Sequence, residues 1–391
     1  MKICLNTSSF PKYNGDYAGA FVLDLATELH KMGHDVWVLC PAVDSIKAEA
    51  EINGVHIIRY RYAFPAGYQL IGGNKPTVPM IKEKPLLLFF VPFYIISQFF
   101  TLINVIRRHK IEVVNSHWIV PQGLLSALIC WIFRVKHVIT MHSTDVYLAG
   151  KIPFGRTLCR MADKKAAAVF IVSEFVKQRY DAILGRTSAA NVIPMGVNDE
   201  KFHPHGEVKR DYNKILFVGR LHKIKGIDNL IRAIAVISKE IPSVKLEIAG
   251  GGEEKESLEK LVDELALREN VSFAGMVPNN ELVHHYNSAR CVAVPSLHLP
   301  SGETEGMPVV IIESMACGIP VIASDVGGIS DIVQDGYNGF LFRHGSPEEI
   351  AEAIKKIFDS DIDKISANAF ETGARFHWEK VAHAYEKAMI G

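Results

Sequence analysis

Three neighbouring stretches decide the fold: Cys291-Val292-Ala293-Val294-Pro295-Ser296, then Glu305-Gly306-Met307-Pro308-Val309-Val310-Ile311-Ile312-Glu313, then Ala316-Cys317-Gly318-Ile319-Pro320-Val321-Ile322-Ala323-Ser324. The first is a short apolar strand closed by Pro-Ser. In the second, Pro308 suits the first turn of a helix, where a missing N–H costs nothing and a fixed φ is already helical, so a helix is expected to start there. The third holds another apolar strand, Val321 to Ala323. Strand, loop, helix and strand in this order form one unit of a parallel sheet flanked by helices.

The same junction carries chemistry. Backbone amides around Met307 and Pro308 sit at the positive end of the helix dipole, which favours phosphate or another anion. Glu305 lies just ahead of that end and Glu313 more than one turn inside. Two carboxylates would repel a bare phosphate. They suit a ligand whose phosphates are flanked by hydroxyls, because carboxylates accept hydroxyl hydrogens. Taken alone, the two acids also read as a solvated loop residue and a helix residue favoured by the dipole.

Working outward, β-rich runs alternate with helical patterns at Ile3 to Asn6, Val36 to Cys40, Val55 to Tyr60, Glu112 to Asn115, Val138 to Met141, Val169 to Val172 and Asn191 to Ile193. Between the first two, Phe21, Val22, Leu25, Ala26, Leu29 and Met32 share one helical face. A second series runs through Lys214 to Val218, Lys245 to Ala249, Val271 to Ala274, Cys291 to Val294 and Val321 to Ala323. The polar stretch from Asn198 to Asn213, with Pro204 and Gly206, separates the series. The expected fold is therefore α/β, with two Rossmann-like doubly wound parallel-sheet domains facing across a cleft: residues 1–197, a linker at 198–213, and residues 214–375. In such sheets ligands bind beyond the carboxyl ends of the strands, where His117, His142, Arg220 and Glu305 all fall.

At 391 residues the chain suits two cores. Lysine plus arginine and aspartate plus glutamate each number 43, so no global basic field points to nucleic acid. Six cysteines at 4, 40, 130, 159, 291 and 317 are far apart and mostly in apolar runs; they read as reduced core residues of a cytoplasmic protein. Met1-Lys2-Ile3-Cys4-Leu5 reads as a first strand rather than a secretory signal. Leu86 to Ile106 is apolar except for Ser97, Gln98, Thr101 and Asn104, and Arg107-Arg108-His109-Lys110 follows. Its length would span a bilayer, but Pro92 and the polar cluster weaken that reading. A buried or groove-lining helix, a helix on the membrane surface through 86–110, and a span stay open; surface contact at the inner face of the membrane would suit a lipid-linked acceptor.

The block from Cys291 to Gly327-Gly328 resembles the retaining glycosyltransferases of the GT-B fold, family four (glycosyl transferases group 1). Gly219-Arg220-Leu221 with Lys225-Gly226, Pro194-Met195-Gly196-Val197-Asn198, Phe10-Pro11, Gly15, Gly19 and Gly33-His34-Asp35-Val36 extend the likeness over nearly the whole chain. The family often has adjacent glycines in its first loop; here the loop reads Asn14-Gly15-Asp16-Tyr17-Ala18-Gly19, so Gly15 and Gly19 both stay candidates.

The resemblance implies a nucleotide diphosphate sugar, on uridine or guanosine, as donor substrate, with no required cofactor. Gly219, Arg220, Lys225 and the Gly306, Met307, Pro308 and Val309 helix end would hold the diphosphate. Arg220 brings a planar fork of donors and Lys225 a mobile point charge, suited to charge developing on a leaving diphosphate. By the same likeness Glu305 would hold hydroxyls of the transferred sugar, Glu313 the ribose, and the backbone of Val277 the base. His142-Ser143-Thr144-Asp145 matches the family's histidine-bearing element, with His142 bonding a sugar hydroxyl or the developing charge. His117 and Asp145 are acceptor-side candidates; Asp145 is also a natural backbone cap. The last helix, 376–391, would cross back onto the first domain. No Asp-x-Asp pair stands in a loop suited to a metal–diphosphate, since Asp359-Ser360-Asp361 reads as surface, and no metal is expected. The expectation is hexosyl transfer to a hydroxyl of a glycan or lipid-linked precursor in cell-surface polysaccharide synthesis. An epimerase or hydrolase of the same fold and a non-catalytic nucleotide-sugar-binding subunit are the alternatives.

Overall fold

The computed structural model describes residues 1–391 except 14–15, 17–18, 44–45, 72–83 and 391. The chain divides into two compact units: Met1–Val172, Val176–Pro194 and Trp378–Gly391 form the first, and Ser173–Phe175 with Met195–His377 the second. Both are built on parallel sheets whose strands are apolar because helices cover both faces.

In the first unit the strands are β1 (Lys2–Asn6), β2 (Asp35–Pro41), β3 (Glu49–Ile52), β4 (Val55–Tyr60), β5 (Val113–His117), β6 (Lys136–Met141), β7 (Ala168–Ile171) and β8 (Asn191–Val192). Their order is β3-β4-β2-β1-β5-β6-β7-β8. Strand β1 pairs in parallel with β2 on one side and β5 on the other, so the winding reverses there and a crevice opens beyond the ends of β1 and β5. The helix Ala20–Lys31 buries Val22, Leu25, Ala26 and Leu29 of the face expected from its spacing, and Leu23 besides, while Phe21 and Met32 are only partly buried. Against it packs the helix Trp378–Ile390, whose Tyr385 meets the Phe170 ring edge-on at 4.7 Å. Strand β3 is additional to the expected strands. It pairs antiparallel with β4 through a tight turn at Asn53 (φ 52°) and Gly54 (φ 78°), the conformation that Asn-Gly favours in a two-residue hairpin.

The apolar segment after residue 85 forms a 3-10 turn, Pro85–Phe90, and a helix, Val91–His109. Only one side is core: Tyr94, Gln98, Leu102, Val105 and Ile106 are buried. Gln98 Nε2 donates to Asn6 Oδ1 of β1 at 2.9 Å, and Gln122 Nε2 donates to the Tyr94 hydroxyl at 3.1 Å. Gln98, one of the polar residues that interrupt the apolar run, thus docks the helix on the sheet.

The second unit has β9 (Asp211–Val218), β10 (Lys245–Ala249), β11 (Val271–Gly275), β12 (Ala289–Val294), β13 (Val321–Ser324) and β14 (Gly339–Phe342), in the order β11-β10-β9-β12-β13-β14, all parallel. Asp211, expected in the linker, opens β9; its first three residues are polar and exposed, so apolar patterning conceals them. Strand β14 is also additional, a four-residue edge strand too short to show a period. The core of this unit joins Ile215, Phe217, Leu246, Ile248, Cys291 and Ala293 of the sheet to Ile231, Ile234, Ile350 and Ile354 of its helices. All six cysteines of the chain are buried and unpaired.

Candidate active site

The winding of the second sheet reverses at β9, between β10 and β12, which makes the ends of β9 and β12 its natural ligand crevice. Arg220 stands exposed just beyond β9, between two backbone ties: Gly219 N donates to Ala249 O at 3.0 Å and Leu221 N to Gly251 O at 2.9 Å. The chain then turns through Lys223–Lys225 to Gly226, whose φ is 62°. A Cβ there would lie 2.1 Å from Pro295 O, so only glycine lets this loop lie against the end of β12. Leu297 N donates to Ile224 O at 2.7 Å and completes the join.

That join brings Lys225 to Glu305. Nζ donates to Oε1 at 2.7 Å, and Ser296 Oγ approaches the same oxygen at 3.4 Å. The two side chains are 26% and 15% exposed, open enough to meet a ligand. Gly327, at φ 62°, lets the segment after β13 pass the Glu305 carbonyl, which a Cβ would approach to 2.0 Å. Glu305 is therefore held on both sides.

The helix begins at Val309, one residue later than expected, and Pro308 is its cap residue with φ −68° and an extended ψ of 115°. Pro308 keeps its helical φ but closes the loop rather than opening the turn; the cap position takes a non-helical ψ. Gly306, Met307 and Pro308 are buried and Val309 partly exposed. The Met307 side chain points inward, its Sδ accepting from Met195 N at 3.2 Å. What this helix end offers a ligand is backbone, not the methionine. Within the helix, Glu313 Oε2 accepts from the buried Tyr286 hydroxyl at 2.7 Å. Burial raises the Glu313 pKa, opposed by the Tyr286 bond and by Lys201. Val277 lies two residues beyond β11 on the same sheet edge, partly exposed.

A hollow of about 320 Å³ adjoins Glu305, lined by Phe175, His298, Thr304, Asp325, Val326, Gly327, Ser330 and His344. Thr304 Oγ1 is buried there without a hydrogen-bond partner among the described residues. Gly327 and Ser296 stand in the quoted motifs without a role assigned to them; the other seven lining residues and Tyr286 are not expected from the motifs. Tyr286 sits in a helix, Leu282–Ser288, with no distinguishing pattern; Ser296 had a signal, as the closing residue of Pro-Ser after β12.

In the first unit, His117 ends β5 and His142 follows β6, adjacent strands in register. Their rings stack at 5.2 Å and 11°, and His117 Nδ1 and His142 Nε2 are 3.0 Å apart, one donating to the other. Phe21 covers the His142 ring at 4.9 Å. Burial lowers the His142 pKa to about 4; burial and then the neighbouring His142 lower that of His117. Both imidazoles are neutral at pH 7. One shared proton links their tautomers, so His117 orients His142. Asp145 is buried beneath them. Its Oδ1 accepts from His142 N at 3.0 Å and its Oδ2 from Ile119 N at 3.1 Å, while burial raises its pKa to about 6. It braces the loops after β5 and β6, where Trp118 (φ 86°) and Ser143 (φ 99°) hold strained backbone of the kind concentrated at functional sites. Gly19 precedes the helix Ala20–Lys31 with φ 68°, against the Ser9 carbonyl. Gly15 lies outside the described residues.

Residues 198–375 match the family described as Glycosyl transferases group 1, and residues 18–201 the one described as Glycosyltransferase Family 4. An uncharacterized glycosyltransferase of Methanocaldococcus jannaschii is 30% identical over 316 residues, covering 80% of this chain and 83% of that protein. A GDP-mannose-dependent alpha-(1-6)-phosphatidylinositol monomannoside mannosyltransferase of Mycolicibacterium smegmatis is 27% identical over 390 residues, covering 96% and 92%. Among solved structures, Anabaena HepE in complex with UDP is similar with a TM-score of 0.76 at 19% identity, over 100% of both chains. Two parallel α/β units, a lysine–glutamate pair at the switch point of the second sheet, and these matches over nearly the whole length lead to one conclusion: the chain belongs to the family-four glycosyltransferases of the GT-B fold.

Proposed function

We propose that this glycosyltransferase moves a hexosyl unit, with retention of anomeric configuration, from a uridine or guanosine diphosphate sugar to a hydroxyl of a glycan or lipid-linked acceptor in cell-surface polysaccharide synthesis. The observation that carries the reading is the 2.7 Å pair of Lys225 and Glu305 beside the Val309–Ala316 helix start. A cation and an anion held together at one sheet edge suit a ligand that is phosphate on one side and polyhydroxylated on the other.

In this reading residues 214–375 form the donor side and residues 1–197 the acceptor side. Arg220, Lys225 and the first-turn amides stabilise the charge that grows on the departing diphosphate. Glu305 accepts from sugar hydroxyls, Glu313 from the ribose, and neutral His142 bonds a sugar hydroxyl near the anomeric carbon. The acceptor oxygen attacks from the face the phosphate leaves; its bond to the anomeric carbon forms as the carbon–phosphate-oxygen bond breaks, and its proton passes to that phosphate oxygen. The relatives lend support on both sides: GDP-mannose and a phosphatidylinositol monomannoside for the Mycolicibacterium smegmatis enzyme, UDP for HepE.

The test is a panel of UDP-glucose, UDP-N-acetylglucosamine, UDP-galactose and GDP-mannose, screened first for thermal stabilisation and then for transfer to lipid-linked and free saccharide acceptors. One donor should raise the melting temperature and yield a product whose anomeric NMR coupling matches that of the donor. An inverted product would overturn the retaining step. Donor consumption that ignores every acceptor would replace transfer with hydrolysis.

A further inference from the structure

Away from the candidate active site, the first unit carries an apolar face that its own core leaves uncovered. Opposite the buried side of the Val91–His109 helix stand Phe93, Ile96 and Phe100, three and four residues apart, and the stripe runs back to Phe89 in the preceding turn. The helix Leu124–Phe133 packs beside it and repeats the pattern with Leu128, Trp131 and Ile132. Phe89, Phe100 and Trp131 are each 64% exposed. With Leu86 and Leu88, nine large apolar side chains on these two helices and the preceding turn stand 46–70% exposed, more than the singly scattered apolar residues of an ordinary monomer's surface.

Charge singles out the occupant. Between Pro85 and Lys136 the cations Arg107, Arg108, Lys110, Arg134 and Lys136 face the lone acid Glu112, in a chain whose totals balance at 43 and 43. Lys165 Nζ sits 4.1 Å over the Trp131 ring, setting a further cation at the rim of the apolar face. We propose that this two-helix face docks on an anionic phospholipid bilayer, its aromatic and aliphatic side chains entering the acyl boundary and its cations meeting headgroup phosphates. Trp131, apolar in body with a polar N–H, suits that boundary.

The Pro85–His109 stretch is long and apolar enough to cross a bilayer, but the packing makes it lie on one. Gln98 bonds Asn6 of β1, Ser97 Oγ donates to Arg61 O at 2.6 Å, and Leu102 and Val105 are core; spanning would tear these from the sheet.

Flotation of the full chain with vesicles of phosphatidylcholine, with and without one-third phosphatidylglycerol, tests it. The wild type should float with the anionic vesicles, and Trp131 emission should shift to the blue; Trp131→Phe should float but lose the shift. Phe89→Ser/Phe93→Ser/Phe100→Ser should lower binding at least tenfold, and Arg107→Gln/Arg108→Gln about fivefold per residue at low salt. Both should keep the wild-type melting temperature, because these side chains are exposed. No flotation of the wild type, unchanged binding of the aromatic variant, or a wild-type dimer that the aromatic variant makes monomeric would overturn the proposal.

Discussion

Removing Glu305 should push two related ligands in opposite directions. In the structure Lys225 shares its charge with Glu305 at 2.7 Å. A nucleoside diphosphate must draw the lysine from that partner and tolerate a carboxylate nearby. Glu305→Ala removes both obstacles. A partly exposed ion pair is worth about 1 kcal/mol, so UDP or GDP should bind about fivefold tighter. An intact nucleotide sugar makes the same gain but loses the charged hydrogen bond from its hydroxyl, about 1.5–3 kcal/mol. The ratio of sugar-nucleotide to nucleotide affinity should therefore fall roughly ten- to 150-fold. Lys225→Ala should weaken both ligands by about that same factor, since it strips the cation and leaves the carboxylate bare. In the double variant the bare diphosphate should recover less than fivefold over Lys225→Ala, because no ion pair is left to break and only the repulsion of the carboxylate is relieved. Isothermal titration calorimetry with nucleotide and nucleotide sugar at one fixed salt concentration measures all of these. Weaker diphosphate binding by Glu305→Ala, or an unchanged ratio, would show that the pair does not divide phosphate from sugar.

Two further outcomes follow from packing and titration. Gly327→Ala should cost about 3 kcal/mol or more and abolish donor-induced stabilisation, because its Cβ meets the Glu305 carbonyl at 2.0 Å. Gly345→Ala, also at positive φ (79°) but with nothing within 4 Å, should cost only about 1–2 kcal/mol and keep the donor response; equal effects in thermal melts would remove the clash as the cause. His137, buried with its Nε2 3.1 Å from Ser116 Oγ, has its pKa lowered by burial to about 3 from 6.5. The unfolded chain takes a proton below pH 6.5 while the native state does not. The stability due to this residue is complete above pH 6.5 and is lost as pH falls toward 3, with about 2 kcal/mol gone by pH 5. In urea melts across pH, His137→Gln should flatten the slope between pH 6 and 4 by about one proton; an unchanged slope would refute the assignment.

Much of the sheet is readable in one dimension, because a parallel strand buried on both faces must be a continuous apolar run and a covering helix must repeat near 3.6 residues. Cys291 to Val294 and Val36 to Cys40 declare themselves on that ground. Strand β3 does not, since Glu49-Ala50-Glu51-Ile52 has no apolar run; only Asn53-Gly54 announces the hairpin. Strand β14 is too short, and the first turn of β9 too polar, for any period to show. For the Leu86 to Ile106 segment, composition is the same whether a helix is buried, spans or lies flat. Which of its faces meets protein depends on Asn6 and Tyr94 reaching Gln98 and Gln122, contacts set by the sheet.

By itself, the sequence determined two series of parallel strands and the residue types waiting at their carboxyl ends: Arg220 and Lys225, Glu305 and Glu313, His117 and His142. Tertiary structure decided which of them meet. Lys225 and Glu305 are 80 positions apart and touch because β9 lies beside β12 and Gly226 lets the loops close on each other. His117 and His142 pair because β5 lies beside β6, and burial then makes both neutral. Periodicity is a local property of the chain, carried by each segment's own residues. The order of strands and the burial of a charge are properties of the whole fold, and no short stretch contains them.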